Sequence, residues 1–246
     1  FLIAESLSRR AFPHHIQFWQ LWSSSTAASP QVLGQTAGGY LLIGPMFAFV
    51  VGFYYLNSYF LGWWNPSNTL FEPNVLAAYF PWFSSIAISL QAGFWEECLF
   101  RAIPLAGAAL LGQRYGHPRL WIAAAFLLQM VIFGAVHANY PAQPAYARLV
   151  ELLVPSAVFG FLFLQFGLLP AIVMHFAYDV VWFAMPLFVA EAPGLRVDQM
   201  LVIALSLVPL AVPLVRRWRQ GAWQSVEDRA YNAAWQPPPA ADPLDQ

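Results

Sequence analysis

The sequence has 246 residues, of which 59% are hydrophobic and only 9% are charged, and its formal net charge is -1. Ordinary soluble domains carry about 25% charged residues, so this chain has too few of them to cover a water-soluble protein of its size. The near-neutral charge argues against a nucleic-acid partner, and the single cysteine, Cys98, excludes an intrachain disulfide and a cysteine-based zinc cluster. The composition predicts an all-α, polytopic transmembrane helix bundle surrounded by membrane lipid.

Six apolar stretches, each near the roughly 20 residues that cross a bilayer core, predict about six spanning helices. They cover approximately 39–62, 83–111, 120–139, 149–168, 171–190 and 199–215. The chain is accordingly divided into a juxtamembrane N-terminal segment (1–38), a transmembrane domain (39–215) and a disordered cytoplasmic tail (216–246). Between the first two stretches, the turn formers around 65–68 and the nearby tryptophans predict an interfacial segment.

The placement of arginine predicts the orientation of the bundle. If six helices alternate, one side holds seven arginines and the other holds only two, Arg148 and Arg196. The positive-inside rule therefore predicts that both termini are cytoplasmic. The chain contains no lysine, and this arginine-only composition, rich in Ala, Pro and Trp, is typical of a GC-rich bacterial genome. A bacterial inner (cell) membrane is the predicted location.

The second apolar stretch contains Glu96, Glu97 and Arg101. A charged side chain at mid-helix costs roughly 2.5 to 3.5 kcal/mol on insertion scales, so such groups must satisfy one another or serve a function. Glu97 and Arg101 are four residues apart on one helix face and are predicted to form an ion pair. Glu96 points about 100° away from Glu97 and is therefore the better general base. A buried structural ion pair is the alternative interpretation.

Two further motifs place imidazoles in apolar helices. His137 follows Phe133 by four residues, and Asp179 follows His175 by four. Each pair shares a helix face, and the Asp179 carboxylate either fixes the tautomer of His175 or binds one metal ion together with it. Alone, each motif is compatible with a hydrogen-bonding pair between helices. Together, two Glu, two His and one Asp from three helices can activate water, bind a divalent metal or relay protons.

Simple alternation of the helices conflicts with a shared site. It places His137 roughly 25 Å from the start of its helix, and His175 only a few residues into its own. Residues at such different depths could not meet, whereas the motifs require that they do. We expect the convergence to hold and the helix boundaries to be inaccurate. Arg148 and Glu151, at a helix start, are predicted to be interfacial, and Cys98 to be an apolar filler.

In this order, the motifs EExxxR, FxxxH and HxxxD between residues 83 and 190 resemble the CPBP family, which comprises CAAX proteases and bacteriocin-processing enzymes and is also called Abi. The resemblance implies an all-helical integral-membrane endopeptidase. Its eukaryotic members remove the last three residues of prenylated CAAX proteins, so a peptide or protein substrate, prenylated in that case, is the implied partner. The family often has Asn where this chain has Asp179, and the added charge shifts the electrostatics towards metal binding.

The resemblance also implies roles for the motif residues. Glu96 would activate the attacking water, and His137 would hold that water or stabilise the oxyanion. The other implied catalytic residues complete the site or support it by orienting the substrate or its carboxylate: Glu97, Arg101, His175 and Asp179.

The family is described both as metalloproteases and as glutamate-dependent proteases. His137, His175 and Asp179 could ligate a divalent metal such as zinc and leave a position open for water. No other cofactor is predicted. The metal-free glutamate mechanism is slightly favoured, because Glu97 is expected to be engaged by Arg101 and few ligands are left.

Two other functions compete with the protease. A non-catalytic membrane protein of the same fold, such as a bacteriocin self-immunity or scaffold protein, would not need to keep these costly ions in lipid. A proton-coupled transporter could use the Glu and His residues as a relay. Transporters commonly contain paired repeats with broken helices, and the sequence shows no such repeat.

Overall fold

The computed structural model describes residues 1–64 and 74–236. Helices dominate this part of the chain, which contains two isolated β-bridges and no named strand. The α-helices are α1 (Leu2–Ala11), α2 (Ser24–Ala27), α3 (Pro30–Leu41), α4 (Ile43–Leu61), α5 (Asn74–Ala77), α6 (Pro81–Glu97), α7 (Ile103–Tyr115), α8 (Pro118–Val136), α9 (Ala147–Phe166), α10 (Leu168–Val189), α11 (Leu195–Ser206) and α12 (Val208–Gln220). A π-helical turn, Cys98–Ala102, joins α6 to α7. The interfacial segment predicted around 65–68 lies outside the described residues.

The all-α membrane bundle predicted from the sequence is confirmed. Within the described ranges, four helical segments are long and apolar enough to cross a membrane: Pro30–Leu61, which joins α3 and α4, and the helices α8, α9 and α10. A fifth is present if α11 and α12, which are bent by 57° relative to one another, form one span. The remaining predicted stretch, 83–111, is helical as well, but the π-helical turn divides it between α6 and α7.

The surfaces of α4 and α8 are apolar and uncovered. Tyr59 on α4 is 74% exposed and Leu120 on α8 is 69% exposed, and large exposed apolar side chains continue along both helices. Contiguous apolar surface of this kind marks a surface that meets another apolar phase. These helices therefore present the lipid-facing side of the bundle.

Helix α10 forms the centre of the bundle, with α6, α3 and α9 packed around it. Glycines allow the close approach. A Cβ atom on Gly93 of α6 would lie 2.9 Å from the backbone nitrogen of Phe176, and one on Gly39 of α3 would lie 2.9 Å from the carbonyl oxygen of Pro170. Small residues at helix crossings are the usual means by which membrane helices pack closely. The α6–α10 contact fixes the height of the two glutamates relative to His175.

Helix α10 starts earlier than the sequence predicted. Gly167, with φ = +88°, ends α9 and allows the chain to reverse within one residue, so that α10 begins at Leu168 rather than near 171. His175 therefore lies two turns inside α10. This earlier start brings it closer to the level of the α6 glutamates.

The two ends of the described chain pack together. Ile16 and Tyr231 form a β-bridge, and the Asn232 side chain donates hydrogen bonds to the carbonyls of Ser8 and Phe12 at 3.2 and 2.9 Å. The tail that was predicted to be disordered from residue 216 is thus helical to Gln220 and then hydrogen-bonded to the N-terminal segment. Residues 237–246 lie outside the described part.

His15 anchors the N-terminal segment to the α9–α10 turn. Burial, assisted by the neighbouring charge of His14, lowers the pKa of His15 to about 4. The neutral imidazole donates from Nε2 to the carbonyl of Leu164 at 3.2 Å, and its ring lies next to Gly167. The N-terminal segment is therefore on the same side of the bundle as the end of α9.

Candidate active site

The π-helical turn carries the charged residues of the first motif. Glu97 is the last residue of α6 and Arg101 lies within the turn, and both side chains are completely buried. A π turn closes i→i+5 hydrogen bonds and is often found at functional sites. It also disturbs the helical alignment of residues four apart. Arg101 Nε consequently lies 3.5 Å from Glu97 Oε2, a charge contact without a described hydrogen bond.

Glu97 binds His175 directly. Its Oε1 is 2.8 Å from His175 Nδ1, and because an ionised carboxylate only accepts hydrogen bonds, Nδ1 is the donor. One of the two roles that the sequence suggested for Asp179 was to fix this tautomer, whereas Asp179 Oδ2 is 3.6 Å from the other nitrogen, Nε2. That expectation was wrong in geometry, because the close α6–α10 packing brings a carboxylate from the neighbouring helix nearer than the one on α10 itself.

Glu96 lies between the two imidazoles. Its Oε2 is 3.7 Å from His137 Nε2 and 3.8 Å from His175 Nε2, and it has no hydrogen-bond partner among residues 1–64 and 74–236. His137 Nδ1 donates to the carbonyl oxygen of Phe133 at 2.7 Å, so its Nε2 also faces Glu96. One carboxylate oxygen and two imidazole nitrogens therefore converge. Their separations exceed a direct hydrogen bond, so the three atoms face one another without being bound to one another.

The depth conflict between the histidines is resolved at the level of the side chains. His137 immediately follows the last residue of α8, while Glu96 belongs to the end of α6, which is packed on α10 beside His175. The Glu96 carboxylate lies between the Nε2 atoms of His137 and His175. The expected convergence of the motifs therefore predicted the proximity of the two histidines better than the simple alternation of helices did.

Aromatic rings surround the charged groups. The Arg101 guanidinium carbon lies 4.0 Å from the centre of the Phe133 ring and 5.2 Å from that of Phe159, and Phe159 stacks on His175 at 4.8 Å. The guanidinium is thus held by ring faces and by the charge of Glu97. Because it is completely buried, Arg101 stabilises the ionised Glu97 and does not reach the surface of the site, where a substrate carboxylate would lie.

A second charged cluster lies near the first, and the sequence had placed it at the interface. Glu151 is completely buried, Arg148 Nη1 donates to both of its carboxylate oxygens at 2.7 Å, and the Tyr54 hydroxyl donates to Oε2. Burial of Glu151 was not predicted and arises because α4 covers α9 at this point, whereas its interfacial depth stays a prediction. The cost of burying a charge, which singled out Glu96, applied equally to Glu151 and would have identified it.

Metal binding requires several donors around one point. Considering the described residues alone, no group of three or more His, Cys, Asp or Glu side chains is arranged to hold a metal ion. In the set that the sequence named, Asp179 approaches His175, whereas His137 approaches Glu96. These side chains do not fit a shared metal ion in this arrangement. A metal requirement stays a prediction.

Comparison with known proteins gives one result that covers the site. Residues 78–181 match the family described as type II CAAX prenyl endopeptidase Rce1-like. This segment is therefore similar to that family. It extends from just before α6 into α10 and contains all six predicted catalytic residues, so the resemblance drawn from the motifs is confirmed over this part of the chain. The Rce1-like segment also contains Arg148 and Glu151. Neither the curated proteins nor the solved structures gave a match.

Proposed function

We propose that this chain is an integral-membrane endopeptidase in which Glu96 activates water to hydrolyse a peptide bond. The observation that carries the proposal is the position of Glu96 Oε2, unpartnered and facing the Nε2 atoms of His137 and His175 at 3.7 and 3.8 Å. The Rce1-like match supports a peptide or protein substrate that is reached within the membrane.

In the first step, a water held between Glu96 and His137 attacks the carbonyl carbon of the scissile bond. An oxygen–carbon bond forms, and the proton released by the water passes to Glu96 Oε2. In the second step, the carbon–nitrogen bond breaks and Glu96 returns the proton to the leaving amine. The histidines position the water and face the oxygen on which negative charge develops.

His175 is suited to stabilise the oxygen on which negative charge develops. Its Nδ1–H is bound by Glu97, and Arg101 in turn compensates the charge of Glu97. A carboxylate behind the imidazole orients the ring and stabilises its charged form, in which Nε2–H is a donor to an oxyanion. Asp179, 3.6 Å from the same Nε2, adds a second negative charge beside that ring.

Finer parts of the proposal concern the substrate and the membrane. A prenylated CAAX-type peptide is the first substrate to test, because the matching family is described by that activity. A bacterial cell membrane is the proposed location, on the basis of the arginine-only composition.

The test uses purified full-length chain in detergent and a quenched fluorescent prenylated CAAX peptide. Glu96→Gln keeps the size of the side chain and removes the base, so we expect cleavage to fall by at least about 100-fold, the usual worth of a general base. Glu191→Gln, at an exposed glutamate outside the site, is the matched control and should cleave like wild type.

Each reaction is repeated with a zinc chelator. Cleavage that needs Glu96 and survives the chelator supports the metal-free mechanism, and loss with the chelator, restored by zinc, supports a metal ion. Wild-type cleavage that is unaffected by Glu96→Gln would contradict the proposal and favour a non-catalytic or scaffold role for this site.

A further inference from the structure

An apolar cavity lies between the helices α3, α6, α10 and α12. Its volume is about 160 Å³, and the segment between α1 and α2 completes its wall. The Thr36 hydroxyl in this wall already donates to the carbonyl oxygen of Val32 at 2.8 Å, so the interior presents apolar surface to an occupant. Trp22 and Leu90, which also line the cavity, are 44% and 51% exposed. The cavity therefore opens to the surroundings of the bundle, and in a membrane those surroundings contain alkyl chains.

The cavity is separate from the proposed catalytic site. Phe94 lines the cavity, and Glu96, two residues further along α6, points about 200° away from it around the helix axis. On α10, Val173 lines the cavity, and His175 is likewise two residues further along. The reacting groups are therefore on other faces of both helices. A ligand in the cavity would contact α6 and α10 without occupying the place of the scissile bond.

Three arginines follow the cavity along α12. Arg216 and Arg217 come one turn after Val212 and Pro213, which line the cavity, and they continue the same face of the helix. Arg219 is exposed in the last turn of α12. In the described part of the chain, no carboxylate forms an ion pair with any of these arginines. Their positive charge is thus uncompensated beside an opening to lipid.

The arginine-bearing end of α12 also lies near the mouth of the cavity. The backbone N–H of Gln224 donates to the carbonyl oxygen of Ala28 at 3.1 Å, which ties this end to the turn that follows Trp22 and α2. The Arg217 guanidinium carbon lies 5.4 Å from the centre of the Trp223 ring. Tryptophan and arginine together are typical of the headgroup level of a membrane. From that level, the cavity extends back along α12 into the apolar part of the bundle.

We propose that this cavity and the three arginines bind one anionic phospholipid, with an acyl chain in the cavity and the phosphate at Arg216 and Arg217. The apolar walls accept the chain, and the uncompensated cations one helix turn away accept the anion. The bound chain packs against both α6 and α10, so it stabilises the crossing of these helices. The inference concerns lipid binding and does not depend on the proposed function.

The test measures lipid retention on the purified full-length chain by native mass spectrometry. The probes are phosphatidylglycerol and phosphatidylcholine with identical acyl chains. Each arginine near a membrane surface contributes on the order of fivefold in affinity for anionic lipid, so wild type should prefer phosphatidylglycerol by at least about 25-fold. Arg216→Gln with Arg217→Gln should reduce the preference to about fivefold or less. Arg114→Gln with Arg119→Gln removes the same charge at exposed positions around the α7–α8 turn and should retain it.

A second variant tests the apolar half of the site. Val212→Phe fills the cavity and keeps every arginine, so it should lower retention of phosphatidylglycerol by about tenfold, which corresponds to the loss of about two buried methylene groups. Val215→Phe, at an exposed position of the same helix, is the matched control and should bind like wild type. Thermal unfolding verifies that each variant is folded. If Val212→Phe does not fold, the arginine variants still decide the question.

Three results would overturn the inference. The first is equal retention of the two lipids by wild type, and the second is an unchanged preference in the folded arginine variant or unchanged retention in folded Val212→Phe. The third is displacement of phosphatidylglycerol by a prenylated peptide, because the cavity would then hold a chain of the substrate rather than a membrane lipid.

Discussion

At the scale of single residues, the two carboxylates beside His175 have different surroundings. Glu97 is completely buried, binds Nδ1 at 2.8 Å and faces Arg101, whereas the Asp179 side chain keeps 15% exposure and lies 3.6 Å from Nε2. A carboxylate that orients a functional imidazole typically contributes 10- to 100-fold to activity. Removal of one charge from a buried pair also destabilises the fold by about 3 to 5 kcal/mol. Glu97 should therefore matter more than Asp179.

Glu97→Gln is expected to lower kcat/KM by roughly 10- to 100-fold and to lower the melting temperature, because it leaves the Arg101 charge unpaired. Asp179→Asn should cost less than about tenfold and leave the melting temperature near that of wild type. The measurements are peptide cleavage and thermal unfolding in the same detergent, with Glu191→Gln as the control. A larger loss for Asp179→Asn would return the anchoring role to Asp179, as the sequence alone had suggested.

At the scale of helices, the crossing of α6 and α10 positions Glu97 beside His175. A Cβ on Gly93 would lie 2.9 Å from a backbone atom of Phe176, next to His175. A larger side chain at position 93 would therefore force α6 and α10 apart. Gly93→Ala should therefore move Glu97 away from His175. We expect a loss of about 1 to 3 kcal/mol in stability, as in other overpacked contacts, and a drop in cleavage.

Gly107→Ala on α7 is the matched control, because a Cβ there meets nothing within 4 Å. The same change at an open helical position should raise stability by about 0.5 to 1 kcal/mol, since alanine favours the helix. Thermal unfolding of both variants beside wild type makes the comparison. Similar melting temperatures for Gly93→Ala and Gly107→Ala would show that the α6–α10 contact accommodates an added methyl group and does not determine the geometry of the site.

The same helices show which features the sequence could predict. Hydropathy located helices at all six apolar stretches, because lipid requires long apolar helices, but among the described residues only four segments, or five with the bent α11–α12 pair, qualify as spans. The motif order identified Glu96, His137 and His175 as a convergent group. The sequence could not predict which side chains from different helices bind one another within the site. The predicted ion pair between Glu97 and Arg101 is confirmed, with Nε and Oε2 3.5 Å apart. The hydrogen bond from an imidazole of another helix to Glu97 was not predicted. Spacing along one helix reveals neighbours on that helix, whereas contacts between helices depend on crossing points such as Gly93.

At the scale of the whole molecule, the packing of the chain ends limits the number of crossings. The N-terminal segment contacts both the tail, through Ile16 and Tyr231, and the α9–α10 turn, through His15 and Leu164. All three must lie on one side of the membrane, which requires an even number of crossings. Five crossings would separate the ends. The described helices that qualify as spans number four, or five with the bent α11–α12 pair. A further crossing through α6, the π turn and α7, as the sequence predicts, would make the number even and would place the loop between α8 and α9 on the opposite side.

The orientation of this bundle can be measured with single cysteines, because Cys98 is the only one in the chain and is buried. In a Cys98→Ala background, Arg119→Cys marks the start of α8 and Ala145→Cys marks the loop after it, both at exposed positions. The positive-inside rule places the arginine-rich side, which holds Arg119, in the cytoplasm. A membrane-impermeant maleimide should then label Ala145→Cys in intact spheroplasts, and Arg119→Cys only after permeabilisation.

The parent without cysteine controls for background labelling. The reverse pattern would confirm that α8 crosses the membrane but would contradict the arginine count, and the loop that contains Tyr140 would then face the cytoplasm. Labelling of both positions from one side would contradict the crossing of α8 itself.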